Sequence, residues 1–174
     1  MSDSLIAEIP DFNDPLGVLH ACHERMLAQC DTLEKLPAHI AENGVDAEAR
    51  SAISKAAKYF SSNAVHHHQD EEEDLFPLLQ HQSLKLADMI FRLKQEHEQL
   101  AVLWDSLATA FRKPGDLAEN PGFPAQLQQF CELYRAHIKF ENEDVLAMAQ
   151  HIISQRQLEE MGDAMARRRG LRRS

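Results

Sequence analysis

The sequence predicts an all-α protein: an up-down-up-down four-helix bundle with a short C-terminal fifth helix. Three observations lead there. Apolar residues recur every three or four positions through four long stretches, and no stretch alternates with the period of two that a strand would need. The 174 residues include only six glycines and seven prolines, most of them in two clusters, so the stretches between can be helical. Length and a hydrophobic content of 44% fit about one globular domain.

Asp14-Pro15 reads as an N-cap followed by proline at the first helical position, so the first helix begins there. Its apolar seam is Leu16, Leu19, His23, Met26, Cys30 and Leu33. The segment LPAHIAENGVDAEA, residues 36–48, reads as a connection. The second seam runs Ile53, Ala57, Phe60, Ala64, His67, Glu71 and Leu75, and Pro77 with the polar QHQS after it reads as the next break. The third runs Leu86, Ile90, Leu93, His97, Leu100, Trp104, Leu107 and Phe111. RKPGDLAENPGFPA, residues 112–125, is the longest loop. The fourth seam is Leu127, Phe130, Tyr134, His137, Glu141, Val145 and Met148, and a fifth helix carries Leu158, Met161 and Met165. The domain organisation expected from these breaks is an N-terminal extension over 1–13, the bundle over 14–153, and a short helix with a basic tail over 154–174.

Every seam is apolar except where it carries histidine or glutamate. The stretch HHHQDEEEDLFP, residues 66–77, offers three pairs at helical i, i+4 spacing: His66 with Asp70, His67 with Glu71 and His68 with Glu72. Behind the first pair lie Ser62, Tyr59 and Lys55, a mostly polar face, and behind the third lie Ala64 and Ser61. Behind His67 lie Phe60 and Ile53, so His67 and Glu71 are expected to point inward. Six polar side chains then converge on one core: His23, His67, Glu71, His97, His137 and Glu141. Isolated ionised groups in an apolar interior cost several kcal/mol each, which implies a bound partner rather than a contribution to the fold of the empty chain.

Spacing points to one shared site. His23 lies eight residues past Pro15, and the midpoint of His67 and Glu71 lies eight before Pro77, so an antiparallel pair sets them at the same height. The second pair behaves alike, and each helical hairpin supplies one histidine and then one His-x-x-x-Glu. Imidazole and carboxylate without thiolate suit iron, manganese or zinc, and one carboxylate from each half is placed to bridge two ions.

The segments LHACHERM, HHHQDEEEDLFP, KQEHEQL and HIKFENEDVL resemble, in order and spacing, the four motifs of the hemerythrin-like (HHE cation-binding) family, over roughly residues 14–150. The resemblance implies a non-haem di-iron centre, two iron ions joined by an oxo or hydroxo bridge, with manganese or zinc as possible substitutes. Carried over position by position, the metal ligands would be His23, His67, Glu71, His97, His137 and Glu141, with Glu71 and Glu141 bridging. Two departures matter. Oxygen carriers of the family have a further histidine one turn past the third-helix ligand, where this chain has Ala101. The set of four histidines and two glutamates is more similar to the di-iron proteins that repair iron–sulfur centres, although their cysteine-bearing N-terminal segment is absent here. The fourth motif also ends VLAMA where the family often has a Leu-Phe-Pro-like ending, which implies a different helix termination.

The remaining polar residues have plainer readings. His20 reads as an exposed neighbour of the site. His66, His68, Glu72 and Glu73 read as a solvated face, the alternative being that Glu72 or His68 hydrogen-bonds a ligand residue and orients it. His39, His81 and His151 read as surface groups near helix ends. Tyr134 reads as a core tyrosine whose hydroxyl could approach the metals, Trp104 as bundle core, and Cys30 as a small apolar residue.

A formal charge of −10 argues against nucleic-acid binding. The basic end ARRRGLRRS reads as a solvated terminus near an acidic surface, with an acidic docking partner as the sharper alternative. Three cysteines without CxxC spacing give neither a disulfide framework nor a thiolate zinc site. With no basic leader and no membrane-spanning run, a cytoplasmic protein is expected. Two functional classes remain. One binds O2, NO or peroxide for sensing, scavenging or iron–sulfur repair and iron donation. The other is a di-iron oxidase or peroxidase. Closed packing of Leu, Met, Ala and Phe around the ligands favours the first. Neither class names a protein partner.

Overall fold

The computed structural model describes residues 10–173, and the expected N-terminal extension falls largely outside that range. Four long helices run up and down in sequence, each packed on the next, with the fourth closing against the first. α1 is Pro15–Asn43, α2 spans 47–79, α3 is Leu84–Phe111 and α4 spans 123–152. α5, Gln155–Arg168, folds back across α1 and the end of α2. Side-chain caps begin four of the five: Asp14 accepts from the Gly17 amide, Asp46 from Ala49, Ser83 from Leu86, and Ser154 forms a capping box with Gln157.

Two connections are shorter than the sequence suggested. α1 carries Pro37 inside it and runs on to Asn43, because Leu36 and Ile40 still face the core, so residues 36–43 are helix and not loop. Pro77 also lies within a helix. It follows a π-helical turn, Asp70–Leu75, and occupies the first turn of the α-helical piece Phe76–Leu79, where its missing N–H costs little. α4 has no such proline and has its own π turn, Glu141–Leu146, before ending at Ile152. A third π turn, Tyr59–Asn63, precedes the three histidines of α2.

The π turns move the buried face. An extra residue in the turn rotates everything after it, so α4 buries Ala149 beyond Val145, while Met148 is only half-buried. In α2, ahead of its first π turn, Ala56 rather than the expected Ala57 is buried.

The apolar core falls into two clusters. One, built on Met26, Leu33, Phe60, Leu100, Leu107 and Phe130, fills the half of the bundle nearer the α1–α2 and α3–α4 connections. The other, built on Leu19, Leu75, Phe76, Leu93, Val145 and Met161, fills the half under α5. His23, His67 and His97 each fall between the two clusters along their own helices, and His137 stands at the edge of the first beside Ile138, so the polar layer separates the two apolar halves.

Candidate metal centre

The six inward residues predicted from the seams all come together in that layer, and each is 5% exposed or less. The four histidines turn Nε2 inward. Nε2 of His23 lies 3.5 Å from Oε1 of Glu71 and 3.3 Å from Oε2 of Glu141. Nε2 of His67 also meets Oε1 of Glu71, whereas Nε2 of His97 meets Oε2 of the same carboxylate at 3.1 Å. Nε2 of His137 lies 3.5 Å from Oε2 of Glu141. Glu71 thus divides its two oxygens between α1 and α2 on one side and α3 on the other.

Placing Glu71 and Glu141 here depends on the local backbone. Each is at the start of a π turn, Glu71 within Asp70–Leu75 and Glu141 within Glu141–Leu146. Such turns are common at functional sites, since the extra residue lets a side chain reach further into the core.

Among the described residues, both oxygens of Glu71 and of Glu141 and Nε2 of all four histidines are buried without a hydrogen bond of good geometry. That many orphaned polar atoms in one place is rare in a folded protein and is what a cation site requires. Two overlapping groups have ligand atoms within 4.8 Å of one another and could each hold an ion: His23, His67, Glu71 and Glu141, and His68, Glu71, His97 and His137. The donor set fits a pair of borderline-hard cations such as iron, and Glu71 belongs to both groups.

The electrostatics agree. Burial disfavours a charged His23, but the carboxylates of Glu141 and Glu71 outweigh it and raise its pKa to about 10. Against the same burial, Glu71 carries His67 up to about 9, and Glu71 with Glu72 carries His97 to about 9. Burial pushes the Glu71 carboxyl up, yet His67, His23 and His97 hold it well below the usual range. Protons on the imidazoles stabilise the carboxylates, and a bound cation would take over that role.

Three of the four outer nitrogens are held as well. His97 donates Nδ1–H to Glu72 at 2.6 Å, His137 to Glu96 at 2.8 Å, and His23 to the amide oxygen of Asn142 at 2.6 Å. His67 lies beside the Cys22 thiol. Burial raises that thiol's pKa, but the neighbouring imidazole outweighs it and lowers it. The orienting alternative for Glu72 is therefore the observed one. Glu96 and Asn142 went unread in the sequence, and so did Cys22 as a partner of His67. Each stands one residue from an inward histidine or glutamate, on the flank of a seam, and that adjacency was the available signal.

Two expectations need correction. His68 is not on a solvated face: it is half-buried, its ring stacks on His97 at 4.0 Å, and desolvation holds it well below its ordinary pKa. The basic end is not simply solvated. Arg168 reaches Asp70, Asp74 at 2.8 Å and Glu73 at 3.0 Å, and Arg169 meets Asp70 at 2.7 Å. Asp70 is fully buried beneath them and not on the polar face expected for it. Tyr134 and Cys30 are buried as expected, and His20, His81 and His151 are exposed.

None of the described helices is long and apolar enough to cross a membrane. The model of the hemerythrin HHE cation-binding domain matches residues 14–149. An "Uncharacterized protein" of Haemophilus influenzae is 28% identical over 158 residues, covering 91% of each chain.

Proposed function

Because the chain belongs to the hemerythrin HHE cation-binding domain family, we propose that its buried layer binds two iron ions through His23, His67, Glu71, His97, His137 and Glu141. In this reading the centre binds O2, NO or peroxide for sensing, scavenging or iron–sulfur repair and iron donation, and does not turn over an organic substrate. The iron pair would supply the redox chemistry and the open coordination position; the chain supplies the donors and their orientation. The observation that carries the reading is the division of Glu71, one oxygen toward His23 and His67 and the other toward His97, which is what a carboxylate spanning two ions needs.

The cleft that reaches His68, about 160 Å³, is below the several hundred Å³ of an organic-substrate pocket, which supports a small ligand by that route. Three buried free thiols fit a reducing compartment, and we place the protein in the cytoplasm. Elemental analysis after anaerobic reconstitution with ferrous iron is the test. Two ions per chain are expected, and one ion per chain at saturation would overturn the reading.

A further inference from the structure

One feature of the molecule connects the metal layer to the surface. Between α2 and α3 a cleft opens whose mouth includes the exposed Val65 and Ala101 and whose inner wall is Tyr134 and His68. His68 belongs both to this lining and to the inner group with Glu71, His97 and His137, where one of its nitrogens lies within 4.8 Å of theirs. It is thus the only described residue common to the cleft and that cluster. Its ring lies over His97 at an interplanar angle of 20°, so its plane runs alongside that imidazole and the two do not converge on one point. His68 is near enough to count among that group, but two near-parallel stacked rings cannot both aim an in-plane lone pair at one ion, so with His97 holding the ion His68 neighbours the coordination position without filling it.

Ala101 is what keeps the cleft open. It lies one turn past His97 and contributes only a methyl group at the mouth, where a longer side chain would close it. The lining is otherwise mostly apolar, with Phe60, Leu100 and Trp104, and its single charged residue is the acidic Asp105. Such a passage suits a small uncharged molecule better than an anion.

We propose that this cleft is the entry route of a neutral diatomic ligand to the position between His97, His137 and Glu71, and that His68 hydrogen-bonds the ligand once it arrives. The proposal rests on the two-ion reading of the site. Tyr134 Oη lies 3.5 Å from Nε2 of His68, so the hydroxyl can donate to that nitrogen and leave the ring proton on Nδ1 as a donor. The entering ligand then meets apolar walls, a hydrogen-bond donor and the metal position in sequence.

The probe is nitric oxide, mixed by stopped flow with the iron-loaded, reduced protein, with iron content measured on every sample. Ala101→Leu narrows the mouth from an exposed position and should slow NO association at least about tenfold. Val102→Leu, one residue away on the outer face at 68% exposure, should leave the rate unchanged. His68→Phe keeps a ring over His97 but loses the donor, and should raise the NO dissociation rate about tenfold with both ions retained. Wild-type association in Ala101→Leu would overturn the route, and wild-type dissociation in His68→Phe would overturn the role of His68. Failure of the underlying reading would be separately visible, as fewer than two iron ions per chain in the unsubstituted protein.

Discussion

In the hairpin of α3 and α4, both inward histidines hand their outer N–H to a carboxylate, His97 to Glu72 and His137 to Glu96. In the hairpin of α1 and α2, His23 uses the neutral amide of Asn142 and His67 sits beside a thiol. The backing differs too. Asp70, just before Glu71, is buried beneath two arginines, whereas the residue just before Glu141 is Phe140, with the Arg92 guanidinium 3.9 Å above its ring. The two halves present matching donors inward but support them with different chemistry. A carboxylate drawing on Nδ1–H makes Nε2 a stronger donor, so a cation near His97 and His137 would carry a higher charge more readily than its neighbour.

The severest break of the comparison removes the residue the halves share. Glu71→Ala should lose most of the bound metal, because both groups of potential ligands include that carboxylate. Glu141 belongs to only one of those groups, so Glu141→Ala should retain more, and Glu73→Ala, on the outer face, should retain it all. Iron per chain after reconstitution decides. Equal loss from Glu71→Ala and Glu141→Ala would make the halves equivalent.

The next test uses protons in place of metal. His23 titrates at about 10 and His67 and His97 at about 9, above the ordinary 6.5, so their interactions stabilise the chelated protein fully below about pH 6.5. That stability is lost as pH rises through 9 to 10. Glu71 is shifted the other way: its contribution is present above the ordinary 4.5 and is lost as pH falls through its own lowered value. The metal-free protein should therefore be most stable between these limits, with Tm falling on the alkaline side. Two of the three raised histidines belong to the first hairpin, so α1 and α2 should lose hydrogen-exchange protection before α3 and α4. A Tm that climbs from pH 7 to 10 would contradict the assignment.

A third test addresses the backing. Arg168→Ala combined with Arg169→Ala leaves Asp70 buried without a partner, which should cost about 3–5 kcal/mol in urea unfolding. Adding Asp70→Asn should recover much of that loss. Arg92→Ala in the other half should cost no more than about 1 kcal/mol, since its side chain is half exposed and its contact with Phe140 is a cation–π contact.

These contrasts also mark where the sequence could and could not be read. The seams of α1 and α3 follow the ordinary helical period, and nearly every residue counted along them is buried. His137 and Glu141 precede or open the π turn of α4, so the helical count still holds at them, whereas His67 and Glu71 lie past the Tyr59–Asn63 turn and are buried all the same. Past the Glu141–Leu146 turn the 100° rule drifts, and Met148 is only half-buried where the count puts it in the core; Asp70 is buried for a different reason, the two arginines of α5 that cover it, which no pattern within α2 registers. Glu72, Glu96 and Asn142 act across helix interfaces, and a pattern confined to one helix does not register a partner on another. His68 was misjudged for a related reason: what covers it comes from α3 and α4, chiefly His97 and Tyr134.

The finest distinction is between the outer partners themselves, and it is the direct test of inequivalence. Glu72→Gln and Glu96→Gln keep a hydrogen-bond acceptor of similar size at Nδ1 but remove the charge. Each should weaken metal binding, within the 10–100-fold range typical of such partners, and raise the reduction potential by withdrawing support from the higher charge state. Asn142→Ala removes a neutral partner from His23 and should weaken binding with a smaller change in potential, since no charge is lost. Glu72 needs particular care, because its side chain is 42% exposed and solvent screens part of its charge, so its effect should be smaller than that of Glu96 at 12%. Competition against a chelator measures affinity, and a spectroelectrochemical titration of the iron-loaded protein measures potential. The expected order of potential shift is Glu96→Gln, then Glu72→Gln, then Asn142→Ala. Equal shifts from Asn142→Ala and Glu96→Gln would show that the amide and the carboxylate act only by orienting their imidazoles, and the two halves would then differ in backing alone.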